Sequence, residues 1–176
     1  MMNVKQILLA CCLLCATVFG AVAQQFAYVD SEYILQNMPE YVGAEKQLDA
    51  LSEQWQAEID QQFAAIEQMY QEYQNKQAGM TDATRRSFEN SIIEKEQEAR
   101  QLQQEKFGFE GDLYKERARL MEPLENKVSN AIKALAEQEQ LDVIFDKSDG
   151  LSILFARPEL DKSKEVLTLM GYQVNN

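Results

Sequence analysis

The stretch "DKSDG" from Asp146 to Gly150 comes nearest in this sequence to a metal loop, and it fails on spacing. A calcium loop needs oxygen ligands at positions one, three and five, a glycine at six and a glutamate at twelve. Asp146 and Asp149 do not keep that spacing before Gly150, and no glutamate follows at the twelfth place. A turn fits better. Carboxylates elsewhere could be paired as acid and base, yet most fall on the polar faces of helices, where a solvated surface accounts for them. Histidine is absent, which removes the commonest general base and the commonest transition-metal ligand. Cys11, Cys12 and Cys15 all lie in a segment expected to be removed, so the mature chain offers no thiolate, disulfide or cysteine metal site. No Gly-rich phosphate loop, Ser-centred elbow or metal-binding His pair is present. Catalysis, a metal and a cofactor are therefore not expected.

What remains is the chemistry of weak apolar contact. Met69, Tyr70 and Tyr73 lie close together in sequence, and Phe107 and Phe109 fall on the other arm of what reads as a helical hairpin. One helical seam uses only part of that apolar surface, so some of these side chains are expected to face outward. Flexible Met and amphipathic Tyr suit a surface that binds many clients weakly.

The elements that must position them are legible from periodicity. "FAYVD" reads as a strand over 26–30, and Asp30 or Ser31 can cap a short helix, "SEYILQN", ending before Pro39. From Tyr41, apolar residues recur every three or four positions: Leu48, Leu51, Trp55, Ile59, Phe63, Ile66, Tyr70 and Tyr73. The run of fours from Leu51 to Phe63 reads as a stutter, which relaxes a left-handed supercoil. The stripe returns as Phe88, Ile92, Ala99, Leu102, Phe109, Leu113, Leu120 and Leu124, with Lys95 and Lys106 in phase and expected to reach toward water or a carboxylate. Between the stripes, "NKQAGMTDATRR" breaks the helix. Gly79 is expected in the left-handed conformation and Thr81 or Asp82 as the next cap, giving a hairpin tip near 79–82. Gly108 and Gly111 weaken the returning helix and mark a bend, and Pro123 is expected to kink it or open a new one. "LDVIFDKSDGLSILFA" reads as a β-hairpin with strands 141–146 and 151–156, and Asp161 and Gly171 should bound a last short helix. The fold class is α+β, mostly α. A long antiparallel coiled-coil arm, 41–120, projects from a small β-containing oligomerisation body built from 24–40 and 121–176.

"MMNVKQILLACCLLCATVFGAVAQ" carries a Lys, an apolar run from Ile7 to Phe19 and an A-x-A site, the pattern of a secretory signal peptide, 1–23, cleaved after Ala23. The apolar run is shorter than the roughly 20 residues of a spanning helix. "LLAC" loosely matches a lipoprotein site, but cutting there would leave an apolar terminus and waste the better site. The net charge is −12, and losing Lys5 with the leader makes it −13. Such a surface repels nucleic acid and anionic lipid.

"FAYVDSEYILQNMPE", the helical hairpin, "AIKALAEQEQLDVIFD" and "ELDKSKEVLTLMG" together resemble the Skp/OmpH family of periplasmic chaperones across essentially the whole mature chain. The resemblance implies a periplasmic homotrimer whose strands form a central body and whose arms enclose a cavity. Unfolded outer-membrane β-barrel proteins would be held there without ATP. It places Phe26, Tyr28, Val29, Val143, Phe145, Ile153 and Phe155 in body and trimer packing, and the inner faces of the arms against client. It brings no catalytic residue. Well-known members are basic, whereas this chain is acidic, and Arg85, Arg86 and Arg100 are too few to make a basic funnel. Lipopolysaccharide binding is accordingly not expected, and client capture would rest on apolar contacts or on clients with basic stretches. The competing reading is an architectural scaffold or adaptor, with the hairpin as a docking arm for a fixed envelope partner.

Overall fold

The computed structural model describes residues 25–148, 150 and 153–173, so the expected signal peptide, 1–23, lies outside the described residues. The chain runs β1 (Phe26–Val29), α1 (Ser31–Gln36), α2 (Pro39–Lys76), a 3-10 turn (Gln77–Gly79), α3 (Asp82–Phe107), α4 (Asp112–Glu139), β2 (Val143–Asp146), a second 3-10 turn (Pro158–Leu160) and α5 (Ser163–Leu169). It is mostly helical, with two short strands.

The body is closed by the two ends of the sequence. β1 and β2 pair in parallel, Phe26 opposite Val143 through Val29 opposite Asp146. Parallel strands need a crossover connection, and here the crossover is the entire helical excursion. Asp30 ends β1 and caps α1, its Oδ1 accepting from the Tyr33 amide at 2.9 Å. Beneath the sheet, Val29, Ile34, Met38, Val128, Leu135, Val166 and Leu167 make one buried cluster, drawn from β1, α1, α4 and α5. Ile34, Met38, Val166 and Leu167 are fully buried, each worth about 1.5–3 kcal/mol of transfer free energy. Ser163, the one buried polar residue of that core, accepts from the Asp30 amide (2.8 Å) and donates to Asp161 Oδ1 (2.6 Å), joining the end of β1 to the start of α5. Gly171, at φ 86°, closes that last helix as expected.

The arm is a helical hairpin two helices wide. α2 packs on α4 near the body and on α3 toward the tip. Its interior is thin: Ala44, Leu48 and Met121 form one buried cluster, and Ile66, Ile92 and Ala99 another.

Four expectations are corrected. The first is the β-hairpin. β2 pairs with β1, and residues 153–156 lie in no strand, while 151 and 152 fall outside the described residues. Leu154 and Phe155 are almost wholly exposed, and a strand with no packing face or ladder partner in its own chain has nothing to stabilise it. The second concerns Gly79, which sits in the 3-10 turn and not at positive φ. The tip is closed by that turn, and Thr81 then caps α3 by accepting from the Thr84 amide. Thirdly, of the two outcomes expected of Pro123, a kink or a new helix, the second does not occur: Pro123 lies within α4 on its exposed side. Water can take up the carbonyl that loses its partner there, and the true break is at 108–111. Finally, burial follows the run of fours only as far as Ile59: Leu51, Trp55 and Ile59 are covered, and Phe63 is exposed. From Leu48 the seam runs through Leu48, Ser52, Trp55, Ile59, Gln62, Ile66, Met69 and Tyr73, alternating steps of four and three, with Leu51 half-buried beside it. Facing the partner helix, and not hydrophobicity, selects Ser52 and Gln62, and Phe63 is left on the flank.

Candidate functional site

The five arm residues expected to meet client do not form one cluster. Met69 and Tyr73 are half-buried against Ile66, Ile92 and Phe88, with the Tyr73 and Phe88 rings 5.8 Å apart. Tyr73 donates its hydroxyl to Glu89, and Tyr70 donates to Glu96 at 2.8 Å, so both tyrosines span from α2 to α3. The hydrogen bonds to carboxylates raise both phenol pKa values, so neither ring ionises near neutral pH. Phe107 lies about 20 Å further down the arm at 1.5 Å per residue, edge-on to Trp55 with ring centroids 6.3 Å apart.

Phe109 is different again, at 96% exposure. The loop that presents it is tightly specified. The Gly111 amide donates to the Gly108 carbonyl at 2.9 Å. A Cβ on Gly108 would stand 2.3 Å from the Gln104 carbonyl oxygen, and one on Gly111 would stand 2.8 Å from that of Glu105. Glu110 adopts φ 53°, a left-handed conformation unfavourable outside glycine. Across the loop Lys106 binds Asp112 at 2.7 Å and lies 4.9 Å from the centre of the Trp55 ring. That hydrogen bond raises the Lys106 pKa and lowers that of Asp112. Lys106 and Lys95, the latter paired with Glu98 at 2.5 Å, thus reach carboxylates as their in-phase positions require.

Exposed apolar residues continue along the arm at Phe63, Ile93 and Tyr114. Sequence reasoning placed Phe63 in the seam and passed over the other two. The signal for Phe63 was its place one residue beyond the strict alternation of fours and threes. Trp55 was likewise read only as a seam residue, although it organises the joint.

The body has an open face. Of the residues expected to pack there, Val29 is buried, as is Ala27 beside it. Phe26, Val143 and Phe145 are 40–44% exposed and Tyr28 is half-buried; the register sets Phe26 against Val143 and Tyr28 against Phe145 on one side of the sheet. Ile153 is half-buried and Phe155 is 85% exposed. The free edge of β1 is bridged once, to Asp161, while that of β2 has no ladder partner among the described residues. Beside the sheet a recess of about 510 Å³ is lined by Tyr28, Asp30, Tyr33, Lys147, Asp161 and Ser163. Lys147 spans it, 3.2 Å from Asp30 and 3.7 Å from Asp161. Burial pushes the Lys147 pKa down, and the two carboxylates more than offset it, so the group stays charged. No group of three or more potential metal ligands occurs among the described residues. Nor is any described helix long and apolar enough to cross a membrane.

A family model described as outer membrane protein (OmpH-like) matches residues 25–170. Among curated proteins none matches significantly. A crystal structure of a candidate outer membrane chaperone (OmpH-like) from Caulobacter crescentus CB15 shares the fold, with a TM-score of 0.70 at 11% identity, covering 86% of each chain. With an arm and body of that form, and a family match spanning all but the ends of the sequence, the chain belongs to the OmpH-like outer membrane protein family.

Proposed function

We propose that the mature protein is an ATP-independent holdase chaperone of the periplasm that keeps unfolded outer-membrane β-barrel proteins from aggregating. The observation that carries this reading is the arm. A projection two helices wide, with a thin buried seam and Phe63, Tyr70, Ile93, Phe109 and Tyr114 exposed along it, offers many weak apolar contacts spread over its length. Such a surface stabilises an unfolded chain by mass action and keeps its hydrophobic strands apart. Family membership supports the same role.

In this reading residues 24–40 and 121–176 form the body, and 41–120 the coiled-coil arm. Three copies assemble through the apolar side of the sheet, where Phe26, Tyr28, Val143 and Phe145 need cover, together with Ile153 and Phe155. Three arms then bound the client cavity. Residues 1–23 direct export and are removed. The role needs no cofactor and no catalytic step, and the mature chain's net charge of −13, the −12 of the full sequence less Lys5, sets nucleic acid and lipopolysaccharide apart from its ligands.

Light scattering on the mature protein, with and without an unfolded outer-membrane β-barrel protein, tests this. A trimer that takes up the barrel and keeps it soluble is the expected result. A monomer or dimer, or a trimer that ignores the barrel, overturns it. Tyr70→Ala separates the holdase from a docking arm. Contacts spread over the arm should leave barrel binding within a few-fold of the parent, whereas a loss beyond about ten-fold marks a hot spot for a fixed partner.

A further inference from the structure

One flank of α2 carries a second regular stripe beside the seam. One residue beyond each seam position lie Asp49, Glu53, Gln56, Asp60, Phe63, Glu67, Tyr70 and Gln74, all exposed and again spaced by fours and threes. At 1.5 Å per residue the stripe runs for about 38 Å along the arm. From Gln47 to Asn75 the helix contains no Lys or Arg at all. Asp49, Glu53, Asp60 and Glu67 enter no ion pair among the described residues, and the side-chain donors to Asp60 and Glu67 are the neutral Gln56 and Gln71.

Elsewhere the chain fills such surfaces with its own lysines. Lys106 lies over the Trp55 ring and binds Asp112; Lys127 lies over Tyr172 and binds Glu40; Lys147 lies over Tyr28 and binds Asp30. Each cation is held by an aromatic side chain and a carboxylate together, Lys127 donating to the Tyr172 hydroxyl at 2.6 Å. The α2 flank repeats the ring and carboxylate, with Phe63 between Asp60 and Glu67 and Tyr70 just beyond; α2 itself supplies no cation there, and Arg100 of α3 serves only the Tyr70 end, where it pairs with Glu96.

We propose that this flank, Asp49, Glu53, Asp60, Phe63, Glu67 and Tyr70, is a docking strip for extended, unfolded polypeptide segments that carry lysine or arginine beside aromatic side chains. The proposal rests on the chaperone reading and names the class of client that the arm prefers. Charge complementarity selects the cation, and the exposed rings take it by cation–π contact or stack with the client's own aromatics. The carboxylates of Asp60 and Glu67 recur after about 10.5 Å of helix, close to one turn of polyproline II, a major conformer of unfolded chains in which three residues of about 3.1 Å bring every third side chain back to the same side. A client with a basic residue at every third position therefore meets successive sites.

The test uses the mature full-length protein and two fluorescent, unstructured peptides of equal length and aromatic content, one with lysines and the other with glutamates at every third position. Anisotropy at low ionic strength should give at least a ten-fold preference for the lysine peptide, about 1.4 kcal/mol shared over four carboxylates. Salt near 0.5 M should remove most of it, because exposed pairs are screened within a few ångströms. The quadruple variant Asp49→Asn, Glu53→Gln, Asp60→Asn, Glu67→Gln touches only exposed side chains and should lose the preference while still keeping an unfolded barrel soluble. Equal binding of the two peptides by a protein that still holds the barrel overturns the strip and leaves the chaperone reading standing. Failure to bind either peptide or the barrel overturns both. A change in the mass of the free protein on neutralisation, with no peptide preference in the parent, makes the flank a contact between copies and overturns the proposal.

Discussion

Replacing both Gly108 and Gly111 by alanine should convert the broken return limb of the arm into one continuous helix. In the native loop the two new Cβ atoms would lie 2.3 and 2.8 Å from backbone oxygens of Gln104 and Glu105, so the broken form must shift. In a helix each Gly→Ala exchange gains about 1 kcal/mol, and Glu110 leaves its left-handed φ of 53°, relieving about 1 kcal/mol more. Phe109, 96% exposed, stands three residues after Lys106 and four before Leu113. A continuous helix would rotate it onto the seam, and burying half of it contributes about 1 kcal/mol. Against this stand the Lys106 to Asp112 pair, worth less than about 1 kcal/mol at the surface, and the Trp55 to Phe107 edge contact, worth about 1 kcal/mol. The balance favours the continuous form by about 2 kcal/mol, more than ten-fold in population. Amide hydrogen exchange reads this directly. Phe109 and Glu110 donate no backbone hydrogen bond among the described residues, and in the double variant their amides should become protected at least ten-fold. If those amides exchange as fast as in the parent while the rest of the arm keeps its protection, the glycines do not hold the break and the reasoning fails.

Ser163→Ala leaves the Asp30 amide without its buried acceptor and should lower stability by about 1–3 kcal/mol. Urea unfolding would show it as a lower midpoint at an unchanged slope. Phe145→Glu places a charge on the open side of the sheet and should shift the assembly toward single chains in light scattering, with the helical circular dichroism retained. Burial pushes the Asp146 pKa up, but hydrogen bonds from Ser31 and Ser148 outweigh it and hold the carboxyl below its ordinary 3.8. Its contribution to stability is therefore fully present above that value and is lost as pH falls through the lower folded pKa. Asp146→Asn should flatten the acid limb of the pH–stability curve below about pH 4, measured by acid titration of both proteins.

Much of the fold could be read from local rules. Asp30 caps α1 because its side chain needs only the next turn's amide, and Thr81 caps α3 for the same reason. The arm's helices follow from spacing, and Lys95 and Lys106 found carboxylates because their stems are long enough. What failed was set by distant parts of the chain. The two apolar runs flanking Lys147 to Gly150 look like a local hairpin, yet β2 gains its ladder from β1, 117 residues away by register. Nothing near Val143 in sequence announces that partner. Gly79 was assigned a left-handed cap that a 3-10 turn made unnecessary. Of the candidate site, the aromatic types were legible but their grouping was not. Phe107 belongs to Trp55, and two glycines swing Phe109 away from the seam that its spacing predicts.

The parallel pairing of β1 with β2 makes the order of folding a matter of timing. β1 is made early, and its partner arrives only after the whole arm has been synthesised. Closing a loop of more than a hundred residues is entropically slow. The arm can close as a zipper, because contacts beside the tip are local and each one formed shortens the loop that the next must close. Zipping leaves only about ten loose residues between the strands, which removes about 2 kcal/mol of closure entropy by the logarithmic rule. Until that happens an apolar strand with no ladder partner stands exposed. The chain must therefore carry its own unpaired strand through the interval in which the arm is made and folds.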